Sequence, residues 1–247
     1  MDTPRWLTAI PVYNEASHIR QVLAAVRRHS PDILTVNDGS TDGSREVLDA
    51  EPGLLRVDHP VNRGYGAAVA SAFRFAVAHR YDVLVTMDCD GQHQPDRIPV
   101  LLEAIHDADI VSGSRYFREF REDTVPPTDR RFINQTLTRE INQKYGLTLT
   151  DSFCGFKAYR VEALKRLMPT EAGWGMPLEL WVQAARLGLR VKEIGVPRVY
   201  LDPSRSFGAT LDDPATRLAH YRQVLARADA RFPAASVSEC GLVPECC

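Results

Sequence analysis

The sequence predicts an α/β fold, a mostly parallel mixed β-sheet with helices on both faces. Three observations carry this. Short apolar runs of strand length alternate with helical stretches along the N-terminal half. The helical stretches place apolar residues at i, i+3, i+4 and i+7: Ile19, Val22, Leu23 and Val26, then Ile98, Leu101, Leu102 and Ile105. The connections between them are short, as suits crossover units that cover both sides of a parallel sheet.

Taken in order, Trp6 to Val12 reads as a buried strand that ends in Tyr13-Asn14-Glu15, and the helix at Ile19 follows. Asp32 to Asn37 is a second strand. It runs into Asp38-Gly39-Ser40-Thr41-Asp42-Gly43-Ser44, a turn of small polar residues that opens another helix. Leu54 to Val57 is a third strand. Asn62-Arg63-Gly64-Tyr65-Gly66 then opens an Ala-rich helix to about His79, with glycines that permit a tight turn and close backbone approach. Asp82 to Met87 is the fourth strand, ending in Asp88-Cys89-Asp90-Gly91-Gln92-His93. Asp109 to Ser112 is the fifth and leads into Gly113-Ser114-Arg115-Tyr116.

The second half is less regular. Phe117 to Asp129 is charged and contains Pro126-Pro127, so it reads as a long loop suited to a lid. Arg131 to Tyr145 is helical. Asp151 to Arg160 runs into a short helix ending near Met168-Pro169. Pro177 to Leu187 is helical with Leu178, Trp181, Val182 and Ala185 on one face, which makes Trp181 a core residue. Val191 to Val199 is strand-like but interrupted by Gly195 and Pro197. A polar loop from Asp202 to Asp213 precedes a last helix from Pro214 to about Ala230.

These elements predict one domain over residues 1–231 and a flexible tail over 232–247 that carries Cys240, Cys246 and Cys247. A net charge of -2 argues against a nucleic-acid binder held by charge. The five cysteines contain no C-x-x-C pair and are odd in number, which argues against a disulfide scaffold and a zinc finger. There is no signal-peptide pattern at Met1 and no apolar run near the roughly 18 residues that cross a bilayer. The expectation is a cytoplasmic protein with no transmembrane segment, able to work peripherally at the inner face of the membrane.

Ligands of such sheets bind beyond the carboxyl ends of the strands. Three polar motifs stand there: Tyr13-Asn14-Glu15, Asn37-Asp38-Gly39-Ser40 and Asp88-Cys89-Asp90. Two carboxylates one residue apart repel each other unless a cation lies between them. Asp88 and Asp90 are therefore expected to hold Mg²⁺ or Mn²⁺, with a nucleotide diphosphate filling other positions. The alternative is a capped strand end with solvated carboxylates. Gln92 could complete the metal's ligands, whereas His93 reads as a loop residue or sugar contact. Asp38 and Glu15 can each accept two donors from a base or ribose, and Asp38 equally suits an Asx-type turn.

The acceptor is a separate question. Arg115, Arg130, Arg131 and Arg205 lie in loops or at helix starts. If they converge, they suit a phosphate, which is ionised at neutral pH and needs no general base. A hydroxyl acceptor would instead need a carboxylate to take its proton, and Glu179 or Asp151 could serve. Glu179 is also explained by the positive end of its own helix. Trp174, between glycines, is either a loop anchor or a platform for a sugar or isoprenoid.

Five motifs in this order and spacing resemble the family 2 glycosyltransferases of GT-A (Rossmann-like) fold: Ile10-Pro11-Val12-Tyr13-Asn14-Glu15, Val36-Asn37-Asp38-Gly39-Ser40, Asn62-Arg63-Gly64-Tyr65-Gly66, Met87-Asp88-Cys89-Asp90-Gly91-Gln92-His93 and Gly113-Ser114-Arg115-Tyr116. Within the family they look most like the dolichol-phosphate mannosyltransferase and polyprenyl-phosphate sugar transferase branch. The resemblance implies a metal-dependent inverting transfer from a UDP- or GDP-linked sugar to a polyprenyl phosphate. The nucleotide-sugar half would be about residues 1–116 and the acceptor half about 117–231. It implies that Pro11, Tyr13, Glu15 and Asp38 line the nucleotide pocket, and that Asp88, Asp90 and Gln92 form the metal and diphosphate site. Asp90, Arg115 and Glu179 would be the catalytic residues, and Arg115, Arg130 and Arg205 would face the acceptor phosphate. The chain departs from the pattern at Asn37, where an Asp is usual, at Asn134, where Ser is common, and after Gly208, where a Lys is common. Other readings are a hydroxyl acceptor on a glycan or small molecule, or a non-catalytic nucleotide-sugar-binding protein. A nucleotidyltransferase would be expected to have a Gly-rich, Lys- or Arg-bearing first loop, which Pro11-Val12-Tyr13-Asn14-Glu15 is not.

Overall fold

Alternation along the strands decides the architecture of the computed structural model, which describes residues 4–201 and 206–234. In β1 (Trp6–Val12), Leu7 and Ala9 face one core while Ile10 and Val12 face another. In β2 (Asp32–Asp38), Leu34 and Val36 share the first core and Ile33 the second. In β4 (Val83–Thr86), Leu84 points one way and Val83 and Val85 the other. A strand apolar on both sides must be covered on both faces, so the sheet is the middle of three layers.

The sheet has seven strands in the order β3-β2-β1-β4-β6-β5-β7, with β3 at Leu55–His59, β5 at Ile110–Ser114, β6 at Lys157–Arg160 and β7 at Val191–Gly195. β1, β2, β3 and β4 run parallel, and β7 runs parallel to β5. Pairing of Val12 with Asn37 and of Ala9 with Thr86 brings the carboxyl ends of β1, β2 and β4 to the same edge.

The helices are α1 (Ile19–Val26), α2 (Ser44–Asp49), α3 (Tyr65–Ala78), α4 (Ile98–Ala104), α5 (Thr128–Tyr145), α6 (Val161–Leu164), α7 (Met176–Arg186) and α8 (Pro214–Arg231). α1 and α4 cover one face through Ile19, Leu23, Ile98 and Leu101. α3, α5, α7 and α8 build the other, where Phe73, Leu137, Trp181 and Tyr221 share a core with Leu84. Trp181 is buried, as its helical spacing predicts, and its Nε1 donates to Ser152 O at 2.8 Å.

One expectation is corrected. The stretch of β6, by sequence only a lead-in to a helix, pairs antiparallel with both β4 and β5 and makes the sheet mixed. The Phe117 to Asp129 loop, suited to a lid by its sequence, meets the 198–200 segment through Asp123 and Thr124. Thr124 N donates to Arg198 O at 2.8 Å, Arg198 N to Asp123 Oδ1 at 2.7 Å, and Tyr200 N to Thr124 Oγ1 at 2.8 Å.

Candidate active site

A cavity of about 810 Å³ opens beyond the carboxyl ends of β1, β2 and β4. Its wall brings together Pro11, Tyr13 and Glu15 from the end of β1, Asp38 from β2, and Asp88, Asp90 and Gln92 after β4. The second half of the chain adds Arg115, Arg130, Trp174, Phe207 and Arg217. Arg205 lies outside the described residues. Glu179 does not line this cavity.

Asp88 is held from three sides. The Tyr65 hydroxyl donates to Asp88 Oδ1 at 3.2 Å. The Asp88 N–H donates to His93 Nδ1 at 3.0 Å, while His93 Nε2 lies 3.7 Å from Asp88 Oδ2. His93 stacks on Phe156 and also lines the cavity. Below Asp88 lies Gly155, where a Cβ would come within 2.7 Å of Asp88 Oδ1 and of the Tyr65 hydroxyl. Asp90 accepts the Gln92 N–H at 3.0 Å and the Gln92 side-chain amide at 2.8 Å.

These groups fit a divalent cation. Asp88 and Asp90 offer hard carboxylate oxygens at a partly open wall, and the Gln92 amide nitrogen is turned to Asp90, so its oxygen is left to face elsewhere. Among the described residues no cluster of three or more His, Cys, Asp or Glu side chains is arranged to hold an ion alone. An ion at Asp88 and Asp90 would therefore share its remaining positions with water and with ligand oxygens such as those of a diphosphate.

Asp38 is committed to the protein more fully than its sequence suggests. Its Oδ1 meets His59 Nδ1 at 2.5 Å and accepts the Arg63 N–H at 3.0 Å, and its Oδ2 accepts the Gly64 N–H at 2.8 Å. It therefore caps the loop that opens α3, not its own helix. His59 in turn reaches Ser71 Oγ at 2.9 Å. His59 was missed, since a single His ending a short strand carries no signal of its own. Tyr13 stands 46% exposed at the rim, a ring face available for stacking.

The same cavity also has a cationic and aromatic lining. Arg115 grips Asp151 in a fork, Nε to Oδ2 at 2.7 Å and a terminal nitrogen to Oδ1 at 3.0 Å. Its remaining nitrogen lies 3.5 Å from the Tyr200 hydroxyl. Asp151 is fully buried and also accepts the Asn134 amide at 2.7 Å. Burial raises its carboxyl, but the Arg115 charge and the hydrogen bonds from Arg115 and Asn134 outweigh that and hold it well below the usual range. Asp151 is thus unsuited to act as a base.

Two guanidinium groups approach the Phe207 ring, Arg130 at 4.9 Å and Arg217 at 4.4 Å from its centroid. Arg217, also missed, is buried and donates to Leu211 O at 2.8 Å and to Asp129. Nothing in the run Pro214 to Tyr221 marks it as more than a helix-surface arginine. Glu179, expected to be catalytic, is 2% exposed and accepts from Thr170 N, Thr170 Oγ1 and Glu171 N at 2.7, 2.5 and 2.9 Å. It faces a separate cavity between α7 and α8. A carboxylate so engaged, away from Asp88 and Arg115, is not placed to take an acceptor's proton.

A model of the family described as "Glycosyl transferase family 2" matches residues 8–168. The chain is 36% identical over 208 residues to undecaprenyl-phosphate mannosyltransferase of Micrococcus luteus, covering 78% of this chain and 82% of that protein. It is 32% identical to polyprenol monophosphomannose synthase of Mycolicibacterium smegmatis, over 78% of this chain and 77% of that protein. It is 33% identical to dolichyl-phosphate hexose transferase of Haloferax volcanii, over 75% of this chain and 78% of that protein. Among solved structures, glucosyl-3-phosphoglycerate synthase of Mycobacterium tuberculosis in complex with Mn²⁺, UDP-glucose and phosphoglyceric acid superposes with a TM-score of 0.71. That match has 19% identity and covers 92% of this chain and 80% of that one. At that identity the likeness shows the fold alone. The chain belongs to glycosyl transferase family 2 and is a glycosyltransferase of GT-A fold.

Proposed function

We propose that the protein transfers a sugar, with inversion, from a nucleotide-diphospho-sugar to a polyprenyl phosphate, using Mg²⁺ or Mn²⁺. The observation that carries this reading is one cavity lined both by the carboxylates Asp88 and Asp90 and by the cationic and aromatic Arg115, Arg130 and Phe207. The names of the relatives, three of which act on polyprenyl-type phosphates, support the same acceptor.

Asp88 and Asp90, with the Gln92 oxygen, hold the ion. When bound, it supplies Lewis acidity to the departing diphosphate. Tyr13 stacks on the base, Pro11 and Glu15 border it, and Asp38 shapes the pocket by fixing the Arg63–Gly64 backbone. Arg115 and Arg130, together with Arg205 by the family pattern, hold the acceptor phosphate. An oxygen of that phosphate forms the new bond to the anomeric carbon. The bond from that carbon to the β-phosphate oxygen breaks, and the nucleoside diphosphate leaves with its electron pair. No proton has to be removed from the attacking oxygen, consistent with a wall that Asp151 and Glu179 do not join. A lipid acceptor implies work at a membrane surface, and no described helix is long and apolar enough to cross a membrane.

The test is product analysis. The protein is incubated with a panel of UDP- and GDP-sugars, undecaprenyl phosphate and Mn²⁺ or Mg²⁺. A glycosyl phospholipid with the anomeric configuration opposite to the donor's supports the reading. Retention of configuration, or donor hydrolysis without lipid product, would overturn it.

A further inference from the structure

Glu179 has no place in that chemistry, yet it is buried and fully engaged. We infer that it is a positioning residue. It fixes the turn over residues 170–175 so that Trp174 links Asp88, through Tyr65, to Phe207. The inference deepens the functional reading above and rests on it for the roles of Asp88 and of the residues around Phe207.

The turn is built on side-chain acceptors. Glu179 takes the Thr170 and Glu171 N–H groups and the Thr170 hydroxyl. Glu171 Oε1 takes the Gly173 N–H at 3.1 Å, and its Oε2 pairs with Arg227 of α8 at 3.0 Å. A non-repetitive stretch has no ladder to satisfy its donors, so the carboxylates do so instead. Without Glu179, two backbone donors and a hydroxyl lose their partner together.

What the turn supports is the cavity. Ala172 O accepts the Ala67 N–H at 3.1 Å, at the start of α3. The turn backbone lies so close to α3 that a Cβ on Gly64 would meet Ala172 O at 2.4 Å, and one on Gly66 would meet Glu171 O at 2.2 Å. Those two glycines are therefore needed for this contact. Trp174 stacks on Tyr65, with ring centroids 5.3 Å apart and planes within 17°. Tyr65 carries the hydroxyl that donates to Asp88. From its other side, Trp174 Nε1 donates to Phe207 O at 3.0 Å, and the two rings meet edge to face. Asp88, Tyr65, Trp174, Phe207 and the Arg130 guanidinium thus form one chain of contacts, and Glu179 anchors its middle.

Three variants separate positioning from chemistry. Glu179→Gln keeps the shape: the amide oxygen accepts both N–H groups and the amide nitrogen donates to Thr170 Oγ1. Glu179→Ala removes every acceptor, Thr170→Val removes only the hydroxyl bond, and circular dichroism verifies that each variant is folded. Steady-state transfer is measured with undecaprenyl phosphate, together with acrylamide quenching of Trp174 fluorescence, obtained by difference from Trp174→Phe. The expected result is Glu179→Gln within about threefold of wild type in both readouts. Glu179→Ala raises the acceptor KM by about tenfold and makes Trp174 more quenchable, with Thr170→Val in between. Loss of activity in Glu179→Gln with unchanged Trp174 quenching would overturn the inference in favour of a proton-transfer role. So would unchanged quenching in Glu179→Ala. If the wild-type protein gives no lipid product, the functional reading fails, and the quenching series alone decides whether Glu179 positions Trp174.

Discussion

Gly155→Ala isolates the placement of Asp88 from its charge. The added methyl group would sit 2.7 Å from Asp88 Oδ1, 2.8 Å from Oδ2 and 2.7 Å from the Tyr65 hydroxyl. A relaxed contact is about 3.5 Å, so something must give by roughly 0.7–0.8 Å. Gly155 is not among the glycines with positive φ, so the alanine meets a steric demand and no backbone strain. The backbone cannot easily retreat. Gly155 O accepts Thr86 Oγ1 at 2.8 Å, Cys154 O accepts the buried Lys157 ammonium, and Phe156 O accepts the Gly113 N–H at 2.8 Å. Asp88 and Tyr65 are what move. A displacement of this order at a reacting centre costs about 10- to 100-fold in rate, equivalent to about 1.4–2.7 kcal/mol of barrier. The assay is kcat/KM for sugar transfer across a Mn²⁺ titration, with circular dichroism to verify folding. The metal half-saturation point should rise with the loss of rate. A folded variant with wild-type kcat/KM and wild-type metal dependence would refute the reasoning.

Other substitutions probe the rest of the cavity. Asp88→Asn and Asp90→Asn should each lower metal-dependent transfer by at least about 10²-fold, read in the same rate assay. Arg130→Ala should raise the KM for a polyprenyl phosphate by about 10- to 100-fold while leaving nucleotide-sugar binding, followed by calorimetry, within about twofold. Asp151→Asn should cost about 3 kcal/mol at neutral pH in urea unfolding, because it leaves the Arg115 charge uncompensated. The Asp151 carboxyl is held below its unfolded value of about 3.9. Its contribution to stability is therefore present above that value and lost as pH falls through the native one. The variant should lose less stability than wild type below about pH 4.

Much of this fold is legible in the sequence because periodicity reports burial directly. β1, β2 and β4 are apolar on both faces, and the polar residues that end them can only lie at the rim. β6 is not legible, since Lys157 and Arg160 make up half of a four-residue strand. Lys157 is buried because Cys154 O and the Trp181 ring receive its ammonium, and no pattern within the strand announces those partners. The candidate site divides in the same way. Asp88, Asp90 and Gln92 declare themselves by local spacing. Glu179 and Asp151 carry the chemistry of a base but not its position, and their partners at Thr170 and Arg115 are set by tertiary packing. Trp174 between two glycines is ambiguous in the sequence. In the structure it is an anchor for the Phe207 backbone and also a wall of the cavity.

The central claim is that an ionised phosphate, not a hydroxyl, receives the sugar. Undecaprenyl phosphate and undecaprenol differ only in that group, so transfer to the two, compared side by side with the same donor and Mn²⁺, tests it most directly. The account predicts glycosylated product from the phosphate and none from the alcohol, across a pH range in which the phosphate stays charged. Equal or faster transfer to the alcohol would contradict it.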